Sequence, residues 1–449
     1  MSGVIWLMKR KMGIELRRWK DRENRKPFIL KGVRRSGKTW LLRNFGEEYF
    51  SDTAYFNFEG NARLRRLFET EHDVGSILSS LMFMRGKTIT PGETLIIFDE
   101  IQFCDQALAR LKDFYEVVPA YHVVCAASFF GEDFGQTLLT PGTVEIFTLR
   151  PMSFFEFLTE CGGDELGEYL RKLDPLVKIP KPFIDKLERL YRTYSITGGM
   201  PEAVDIWVKT GDVAKLDEVQ QEILDAYELD FAKYAPRSEF SKLSAVWNSI
   251  PAQLSEKNSK FMFGHAKKGM RAKDLAGVLE WMIGAGLAYK VFRVESPTLP
   301  VSAYTDNNYF KVYMSDTGLL RKISDAPADL ILKGVLNDSG FINAATANYV
   351  HSELLGMFGD ELFFWRSGNA AEVDFIIQFG VDLIPVEIKP GKVGRTRSLG
   401  EYRKRYGPAY AIKASMNNFE DGSVSNIPLY MLWKLDFILA WMFSRQTSI

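Results

Sequence analysis

The chain has 449 residues, of which 46% are hydrophobic and 25% are charged, as in ordinary globular proteins. Its 57 basic and 57 acidic residues cancel, so no overall field indicates a nucleic acid or membrane partner. The length predicts about two to four domains. Three cysteines, Cys104, Cys125 and Cys161, share no metal-ligand spacing, which is typical of a reducing compartment. The first residues lack a long apolar run, so we expect a soluble, cytoplasmic protein without a membrane segment.

Residues 27–42 carry the first motif, in which an apolar run, 28–30, precedes G-x-x-x-x-G-K-T and an apolar helix. In such a loop, backbone N–H groups and the helix N-terminus face phosphate oxygens. Lys38 would reach the β- and γ-phosphates of ATP, and the Thr39 hydroxyl would take a Mg²⁺ site. The alternative is a glycine-rich turn with a solvated lysine. The predicted ATP-binding residues are Gly32, Val33, Arg34, Arg35, Ser36, Gly37, Lys38, Thr39 and Trp40.

Residues 94–100, TLIIFDE, form the second motif, an apolar strand that ends in two carboxylates. Asp99 would hold Mg²⁺ beside the phosphate loop, and Glu100 would orient and deprotonate the attacking water. The alternative is a core strand that ends in a solvated acidic turn. Further strands are predicted at 53–58, 121–128 and 144–149. Five strands alternating with helices predict an α/β fold with a parallel sheet and ligands at the carboxyl ends of the strands.

Six segments resemble a prokaryotic family of AAA-type ATPases whose C-terminal half is a domain of unknown function. They are GVRRSGKTWLL, LIIFDEIQ, LRPMSFFEF, YSITGGMPEAV, FKVYMSDTGLL and EVDFIIQ…PVEIK, and together they run from about residue 15 to 435. The resemblance implies an ATPase and places Ser128 where sensor residues of such enzymes touch the γ-phosphate. Many relatives carry Gly-Arg or Gly-Lys where this chain has Gly142-Thr143. The candidates for that missing cation are Arg34, Arg35 and Arg150, each of which is otherwise a surface or packing arginine.

The chain after the predicted ATPase domain, residues 1–164, is expected to form three further domains. Residues 165–238 look like a helical lid, in which Gly198-Gly199-Met200-Pro201 resembles the Gly-x-Pro element near the adenine of signalling NTPases; glycine and proline also simply end helices. Residues 239–328 fit a winged helix with wing strands at 288–294 and 309–314. Its cations would contact DNA phosphates, or else form a solvated or packing face. They are Lys257, Lys260, Lys267, Lys268, Arg271 and Lys273.

Residues 329–449 carry a third pattern, Asp374 followed by Glu387-x-Lys389, which matches the D…(E)xK array of restriction-endonuclease-like folds. On a strand, Glu387 and Lys389 point to the same face. Asp374 and Glu387 would hold Mg²⁺, Lys389 would activate water, and Glu353 from the preceding helix would add an outer acidic ligand. Since Lys389 supplies one charge against two carboxylates, a divalent ion is the expected partner. The alternative is a set of paired charges in an inactive binding module.

Together these patterns predict an α/β, multidomain ATPase whose nucleotide state gates a C-terminal nuclease-like domain that acts on or binds DNA. The alternative is a signalling or scaffold switch whose nuclease-like domain is inactive and binds a protein. The expected cofactors are ATP and Mg²⁺. The expected partners are DNA, through the winged helix and the C-terminal domain, a protein, and further copies of the chain in a homo-oligomer.

Overall fold

The computed structural model describes residues 10–128, 139–234, 239–256, 259–336, 340–359, 361–368, 371–391 and 396–446. The chain divides into two compact units: Met1–Arg150 with Glu280–Leu287, and Pro151–Leu279 with Ala288–Ile449. Within the described ranges, no helix combines the length and the apolar character needed to cross a membrane.

Five parallel strands form the sheet of the first unit. They are β1 (Phe28–Lys31), β2 (Asp52–Asn57), β3 (Thr94–Asp99), β4 (His122–Ala127) and β5 (Glu145–Thr148). Their spatial order is β2–β3–β4–β1–β5, and every neighbouring pair is parallel. The predicted α/β class with a parallel sheet is therefore confirmed, and β4 lies between the strands that carry the two ATPase motifs.

Helices cover both faces of this sheet, which explains why its central strands are apolar except at their ends. The helices are α1 (Lys11–Lys20), α2 (Lys38–Tyr49), α3 (Ala62–Thr70), α4 (Val74–Arg85) and α5 (Asp105–Glu116), with a 3-10 turn at Ile101–Phe103. Along β3 the side chains alternate between the two layers. Leu95 and Ile97 join the core under α1 and α2, whereas Ile96 and Phe98 join the core under α3, α4 and α5.

The second unit is built on a mixed sheet of seven strands. They are β6 (Ala288–Val294), β7 (Thr305–Met314), β8 (Phe363–Ser367), β9 (Ala371–Phe379), β10 (Asp382–Lys389), β11 (Ile412–Ser415) and β12 (Ser425–Pro428). Their order is β12–β11–β10–β9–β8–β6–β7. The pairs β6–β7, β8–β9 and β9–β10 are antiparallel, and the others are parallel.

Helices precede this sheet in the chain and are interspersed with its strands. They are α6 (Phe154–Gly162), α7 (Asp164–Lys172), α8 (Lys181–Thr197), α9 (Pro201–Thr210), α10 (Val213–Tyr234), α11 (Phe240–Ser255), α12 (Phe263–Ala266), α13 (Ala272–Gly284), α14 (Thr317–Ile323), α15 (Ala328–Leu332), α16 (Gly340–Phe358), α17 (Arg397–Tyr406) and α18 (Leu435–Gln446), with 3-10 turns at Val301–Tyr304 and Leu429–Lys434. The last part of α13 belongs to the first unit.

The two strands predicted as a wing pair with each other, and β6 also pairs with β8. One sheet therefore contains strands from both sides of residue 328, where the sequence predicted a domain boundary. The pairing has a simple physical reason: β6 carries backbone N–H and C=O groups on both edges, and β7 satisfies only one of them. Residues 151–164, predicted as the end of the ATPase domain, lie in the second unit.

A buried junction in the second unit joins three of the sequence segments singled out above. Asp316 caps α14 by accepting the Leu319 N–H at 2.9 Å, and its other oxygen accepts the Gly199 N–H at 2.6 Å. The Gly199 carbonyl in turn accepts the Met152 N–H at 2.6 Å. Gly198 has φ +66°, and a Cβ there would lie 2.1 Å from Asp316 Oδ1, so only glycine fits. These contacts give Gly198 and Gly199 a packing role.

The Asp316 junction predicts a specific pH dependence of stability. Burial raises the pKa of Asp316 to about 6, against the opposing effect of the amide hydrogen bonds. Because the folded-state pKa lies above the ordinary value, this contribution to stability is present in acid and is lost as the pH rises through 6. Between pH 5 and pH 7.5, Asp316→Asn should therefore gain about 1 to 1.5 kcal/mol of unfolding free energy relative to the parent chain.

The measurement is denaturant unfolding of the full chain at both pH values. Asp205→Asn, at an exposed carboxylate of α9, is the matched control and should follow the parent profile. If Asp316→Asn also follows the parent profile, Asp316 does not titrate as described.

Candidate functional site

The phosphate loop lies between β1 and α2, as the sequence predicts. Gly37, the residue before α2, has φ +91°, a left-handed conformation that favours glycine. The Lys38 ammonium is buried and donates to the carbonyl oxygens of Gly32 and Val33, both at 2.9 Å. The Ser36 hydroxyl is fully buried and, among the described residues, lacks a hydrogen-bond partner. Trp40, in the first turn of α2, is exposed.

The carboxyl ends of β1 and β3 bring the two ATPase motifs together. The Thr39 hydroxyl donates to both carboxylate oxygens of Asp99, at 3.1 and 3.0 Å. Asp99 is 2% exposed and also accepts the Glu100 N–H at 3.1 Å. A hydroxyl next to a carboxylate is the hard oxygen set that Mg²⁺ prefers. This donor set and the partnerless Ser36 hydroxyl fit a magnesium-bound nucleotide at this edge of the sheet.

Glu100 follows β3 in a left-handed backbone conformation with φ +51°. Its carboxylate accepts hydrogen bonds from the Ser128 hydroxyl at the end of β4 and from the Gln102 amide. The structure therefore brings Ser128 to Glu100, and these two donors hold the carboxylate of the residue predicted to act as the base. A strained backbone at such a position is common in functional sites.

Two further residues contact the ATPase motifs and were not predicted from the sequence. The Tyr55 hydroxyl donates to Asp99 Oδ2 at 2.6 Å, and the Arg43 guanidinium lies 3.8 Å from the centre of the Tyr55 ring. Burial and the Asp99 carboxylate raise the pKa of Tyr55. Arg10 donates to the carbonyl oxygens of Ser36, at 3.1 Å, and Arg150, at 2.6 Å.

A sequence signal existed for Tyr55 but not for Arg10. In β2, Tyr55 alternates with the buried residues Ala54 and Phe56. Because β2 runs parallel to β3, both strands end at the same edge of the sheet. A polar residue on such a strand is a candidate neighbour of Asp99. Arg10 contacts backbone carbonyls far along the chain, and no sequence pattern indicates such partners. The guanidinium of Arg10 braces the loop, whereas the role of Arg34, Arg35 or Arg150 as a catalytic cation stays a prediction.

In the second unit, the predicted Asp374–Glu387–Lys389 array lies on adjacent strands β9 and β10. Lys389 Nζ lies 2.7 Å from Glu387 Oε1, and Glu387 Oε2 accepts the Leu399 N–H of α17 at 3.3 Å. Asp374 accepts the N–H of Ile388, the residue between Glu387 and Lys389, at 2.7 Å. The three predicted residues are therefore neighbours, and each carboxylate has a partner from the protein itself.

Glu353 has a different role from the predicted one. It is 5% exposed and accepts the Phe154 N–H, at the start of α6, at 2.7 Å. A carboxylate at a helix N-terminus satisfies a free backbone donor and interacts favourably with the helix dipole. Among the described residues, which include Glu353, Asp374 and Glu387, no three His, Cys, Asp or Glu side chains form a group that could hold a metal. The prediction that these three carboxylates share a metal therefore has no support in the geometry.

Further charges from β7 and β8 complete this polar cluster. Lys311 of β7 is 2% exposed and lies 2.5 Å from Glu372, which also lies 3.5 Å from Arg366. Burial raises the pKa of Asp374 to about 6, and the charge of Lys311 opposes that rise. Burial alone would lower the pKa of Lys311, but Glu372 and Asp374 raise it above its ordinary value.

The cluster therefore has three carboxylates and three cations. The carboxylates are Glu372, Asp374 and Glu387, and the cations are Lys311, Arg366 and Lys389. The expectation of a divalent ion counted Lys389 alone. Lys311 was missed because the sequence placed its strand in a separate wing, whereas the fold places that strand in the same sheet.

Comparison with known proteins adds three domain matches along the chain. Residues 24–158 match the model of an AAA domain. Residues 188–330 match a domain of unknown function, DUF8612, which crosses residue 238, the predicted boundary between lid and winged helix. Residues 343–432 match a second domain of unknown function, DUF4143. No curated protein sequence matches the chain.

Several solved structures are similar at low identity. The Walker-type ATPase PABY2304 of Pyrococcus abyssi is 15% identical, with 71% of this chain and 96% of that chain covered and a TM-score of 0.43. The ORC1 protein of Aeropyrum pernix in complex with DNA is 14% identical, with 72% and 92% covered and a TM-score of 0.28. AMPPCP-bound DnaA from Aquifex aeolicus is 12% identical, with 59% and 84% covered and a TM-score of 0.26.

These TM-scores are too low to bear on what the chain does. The domain matches and the geometry of the first unit agree with each other, since the AAA match covers both ATPase motifs and all five parallel strands. The N-terminal part of this chain is an AAA-type P-loop ATPase domain, and its C-terminal part is a DUF4143 domain, whose function is unknown.

Proposed function

We propose that the chain binds and hydrolyses ATP at the phosphate loop, and that the nucleotide state gates a DNA-binding module in the second unit. One observation carries the ATPase part of the proposal. The Thr39 hydroxyl, the Asp99 carboxylate and the Ser128-held Glu100 carboxylate meet at the carboxyl edge of one parallel sheet. This is where ligands of such sheets bind.

Each residue of the ATPase site has a distinct proposed role. Lys38, with the loop amides, holds the phosphates and offsets their negative charge. Thr39 and Asp99 would hold Mg²⁺, which when bound neutralises charge on the phosphate oxygens. Glu100 accepts the proton of the attacking water, and Ser128 holds the Glu100 carboxylate until the γ-phosphate is in place.

Exposed cations support the DNA-binding part of the proposal. Lys268, Arg271 and Lys273 lie exposed between α12 and the first turn of α13, and Lys404 and Arg405 lie exposed on α17. Cations on such surfaces bind phosphate backbones without reading sequence. The internal pairing of the Asp374 cluster favours a module that binds DNA without cutting it, because its charges balance without a metal ion.

Metal-dependent cleavage of DNA is the second candidate function. Its support is the neighbouring placement of Asp374, Glu387 and Lys389 on β9 and β10. A divalent ion would have to replace the Lys389–Glu387 contact or the Ile388–Asp374 contact, and breaking either of them costs free energy.

Two substitutions separate nucleotide binding from turnover. Lys38→Ala should weaken ATP affinity by about a hundredfold or more, because a charged contact to phosphate is lost. Glu100→Gln should keep ATP affinity and lower kcat by about 10²- to 10⁴-fold, because it keeps the shape and removes the base. Equilibrium ATP binding and steady-state turnover measure the two effects.

The controls come from an exposed ion pair on α5, Lys112 and Glu116. Lys112→Ala and Glu116→Gln repeat the same chemical changes outside the site and should behave as the parent. Turnover at the parent rate in Glu100→Gln would show that another group activates the water.

Tyr55→Phe tests whether the tyrosine positions Asp99. Removing the hydroxyl frees the Asp99 carboxylate to rotate, so ADP affinity in the presence of Mg²⁺ should fall about three- to tenfold, while affinity in EDTA should stay unchanged. Tyr49→Phe, at the end of α2, is the matched control. An equal loss with and without Mg²⁺ would assign Tyr55 a general structural role.

A plasmid-nicking assay decides between binding and cleavage. With Mg²⁺ or Mn²⁺, and with or without ATP, we expect the parent chain to retard the plasmid and leave it intact, because the Asp374 cluster is internally paired. Nicking that Asp374→Ala abolishes and the control Asp382→Ala retains would establish the nuclease and overturn the binding-only proposal.

A further inference from the structure

An exposed arginine of α2 lies against the tyrosine that contacts Asp99. The Arg43 guanidinium carbon is 3.8 Å from the centre of the Tyr55 ring, the shortest distance between a cation and an aromatic ring among the described residues. No carboxylate in the described part of the chain forms an ion pair with Arg43, and its contacts are with Tyr55. The geometry therefore ties the charge of Arg43 to the tyrosine.

The fold directs both side chains to the same place. Thr39 and Arg43 lie on one side of α2, because residues four apart in a helix are neighbours. Tyr55 of β2 is in register with Ile97 of β3, and both pack in the core under α1 and α2. Asp99 lies two residues beyond Ile97, so it is on the same face of β3. One side of α2 therefore meets Asp99 through Thr39 and Tyr55 through Arg43.

These residues form a closed cycle of contacts over three elements. The Thr39 hydroxyl donates to Asp99 at 3.1 and 3.0 Å, and the Tyr55 hydroxyl donates to Asp99 Oδ2 at 2.6 Å. Arg43 then connects the Tyr55 ring back to α2, one turn beyond Thr39. Each contact of such a cycle restrains its neighbours, because a side chain that moves has to break contacts on both sides.

Tyr55 depends on this restraint because its side chain is only half-buried. The hydroxyl has a single hydrogen to donate, and the bond to Asp99 requires that the ring keep its orientation. The Asn57 amide donates to the hydroxyl oxygen at 3.3 Å, which leaves the hydrogen for Asp99. Arg43 contacts the ring itself, so it restrains the part of the side chain that these hydrogen bonds do not hold.

We infer that Arg43 is a positioning residue of the ATPase site, which acts through Tyr55 to hold the Asp99 carboxylate in place for Mg²⁺. This inference rests on the proposed function and adds to it a residue outside both sequence motifs. Groups that hydrogen-bond to a metal-binding carboxylate fix its orientation, and their loss weakens metal binding. A solvated arginine without this role would have no effect on binding that depends on Mg²⁺.

The test is ADP binding to the full-length chain, measured in Mg²⁺ and in EDTA. Arg43→Ala should weaken binding in Mg²⁺ about two- to fivefold, the factor expected for one cation–ring contact at an exposed site, and leave binding in EDTA unchanged. Arg43→Lys should lose less, because lysine keeps the charge. Arg17→Ala is the matched control, since Arg17 is an exposed arginine 5.0 Å from the Tyr49 ring, and it should bind as the parent does.

A double-mutant cycle tests the route through the tyrosine. Tyr55→Phe keeps the ring that Arg43 contacts but lacks the hydroxyl that reaches Asp99. Adding Arg43→Ala to Tyr55→Phe should therefore cause no further loss of ADP affinity in Mg²⁺. If the two losses multiply instead, Arg43 acts independently of Tyr55 and the inference is wrong.

The remaining outcomes separate the inference from the function on which it rests. If Lys38→Ala loses ATP affinity and Arg43→Ala binds ADP in Mg²⁺ as tightly as the parent, the inference is wrong while the ATPase proposal stands. An equal loss in Mg²⁺ and in EDTA would assign Arg43 a general structural role and overturn the inference. If Mg²⁺ does not strengthen ADP binding to the parent chain, the proposed magnesium site fails and the inference fails with it.

Discussion

Asp99 is a buried carboxylate at the end of a central strand, and the ATPase site depends on the donors that surround it. An ionised carboxylate out of water is costly unless hydrogen bonds replace the lost solvation. Thr39 from α2, Tyr55 from β2 and the Glu100 amide supply those bonds. Because the donors come from different elements, the carboxylate joins the phosphate loop, the second motif and the neighbouring strand into one rigid edge.

Asp316 and Asp374 obey the same physical requirement in the second unit and meet it differently. Asp316 is held by backbone amides, so it joins a helix start to a glycine turn and has no catalytic geometry. Asp374 accepts one amide and lies near Lys311, a cation from a strand distant in sequence. Burial raises the pKa of both carboxyl groups, so both interactions depend on pH in the same direction.

The zero net charge of the chain is accompanied by local pairing of charges in the second unit. Around Asp374, carboxylates and cations compensate each other within the protein. Three strands away, around Tyr309, Arg293 pairs with Asp306 and Glu295, and Arg366 pairs with Glu372. A cluster whose charges balance within the protein does not require a metal ion, and the function proposed for the second unit is therefore binding without cleavage.

The sequence by itself determined the ATPase site at the carboxyl edge of the parallel sheet, because each of its two motifs is a short continuous segment of the chain. A strand, a glycine loop and a helix start lie within sixteen residues at 27–42. The apolar run that ends in Asp99 predicts a buried strand by its composition alone. The five-stranded parallel sheet then follows from alternation of strands and helices, and the structure confirms it. Local patterns of this kind are readable because hydrogen bonding and burial act between residues close in the chain.

Only the tertiary structure decided the contacts between distant segments. It placed β6 and β7 in the C-terminal sheet, which brought Lys311 to the Asp374 cluster. It also turned Glu353 toward the start of α6 and set Tyr55 and Arg10 against the phosphate-loop site. A strand's apolar pattern specifies that one of its faces is buried but not which strand lies beside it, since backbone pairing is nearly independent of side-chain identity.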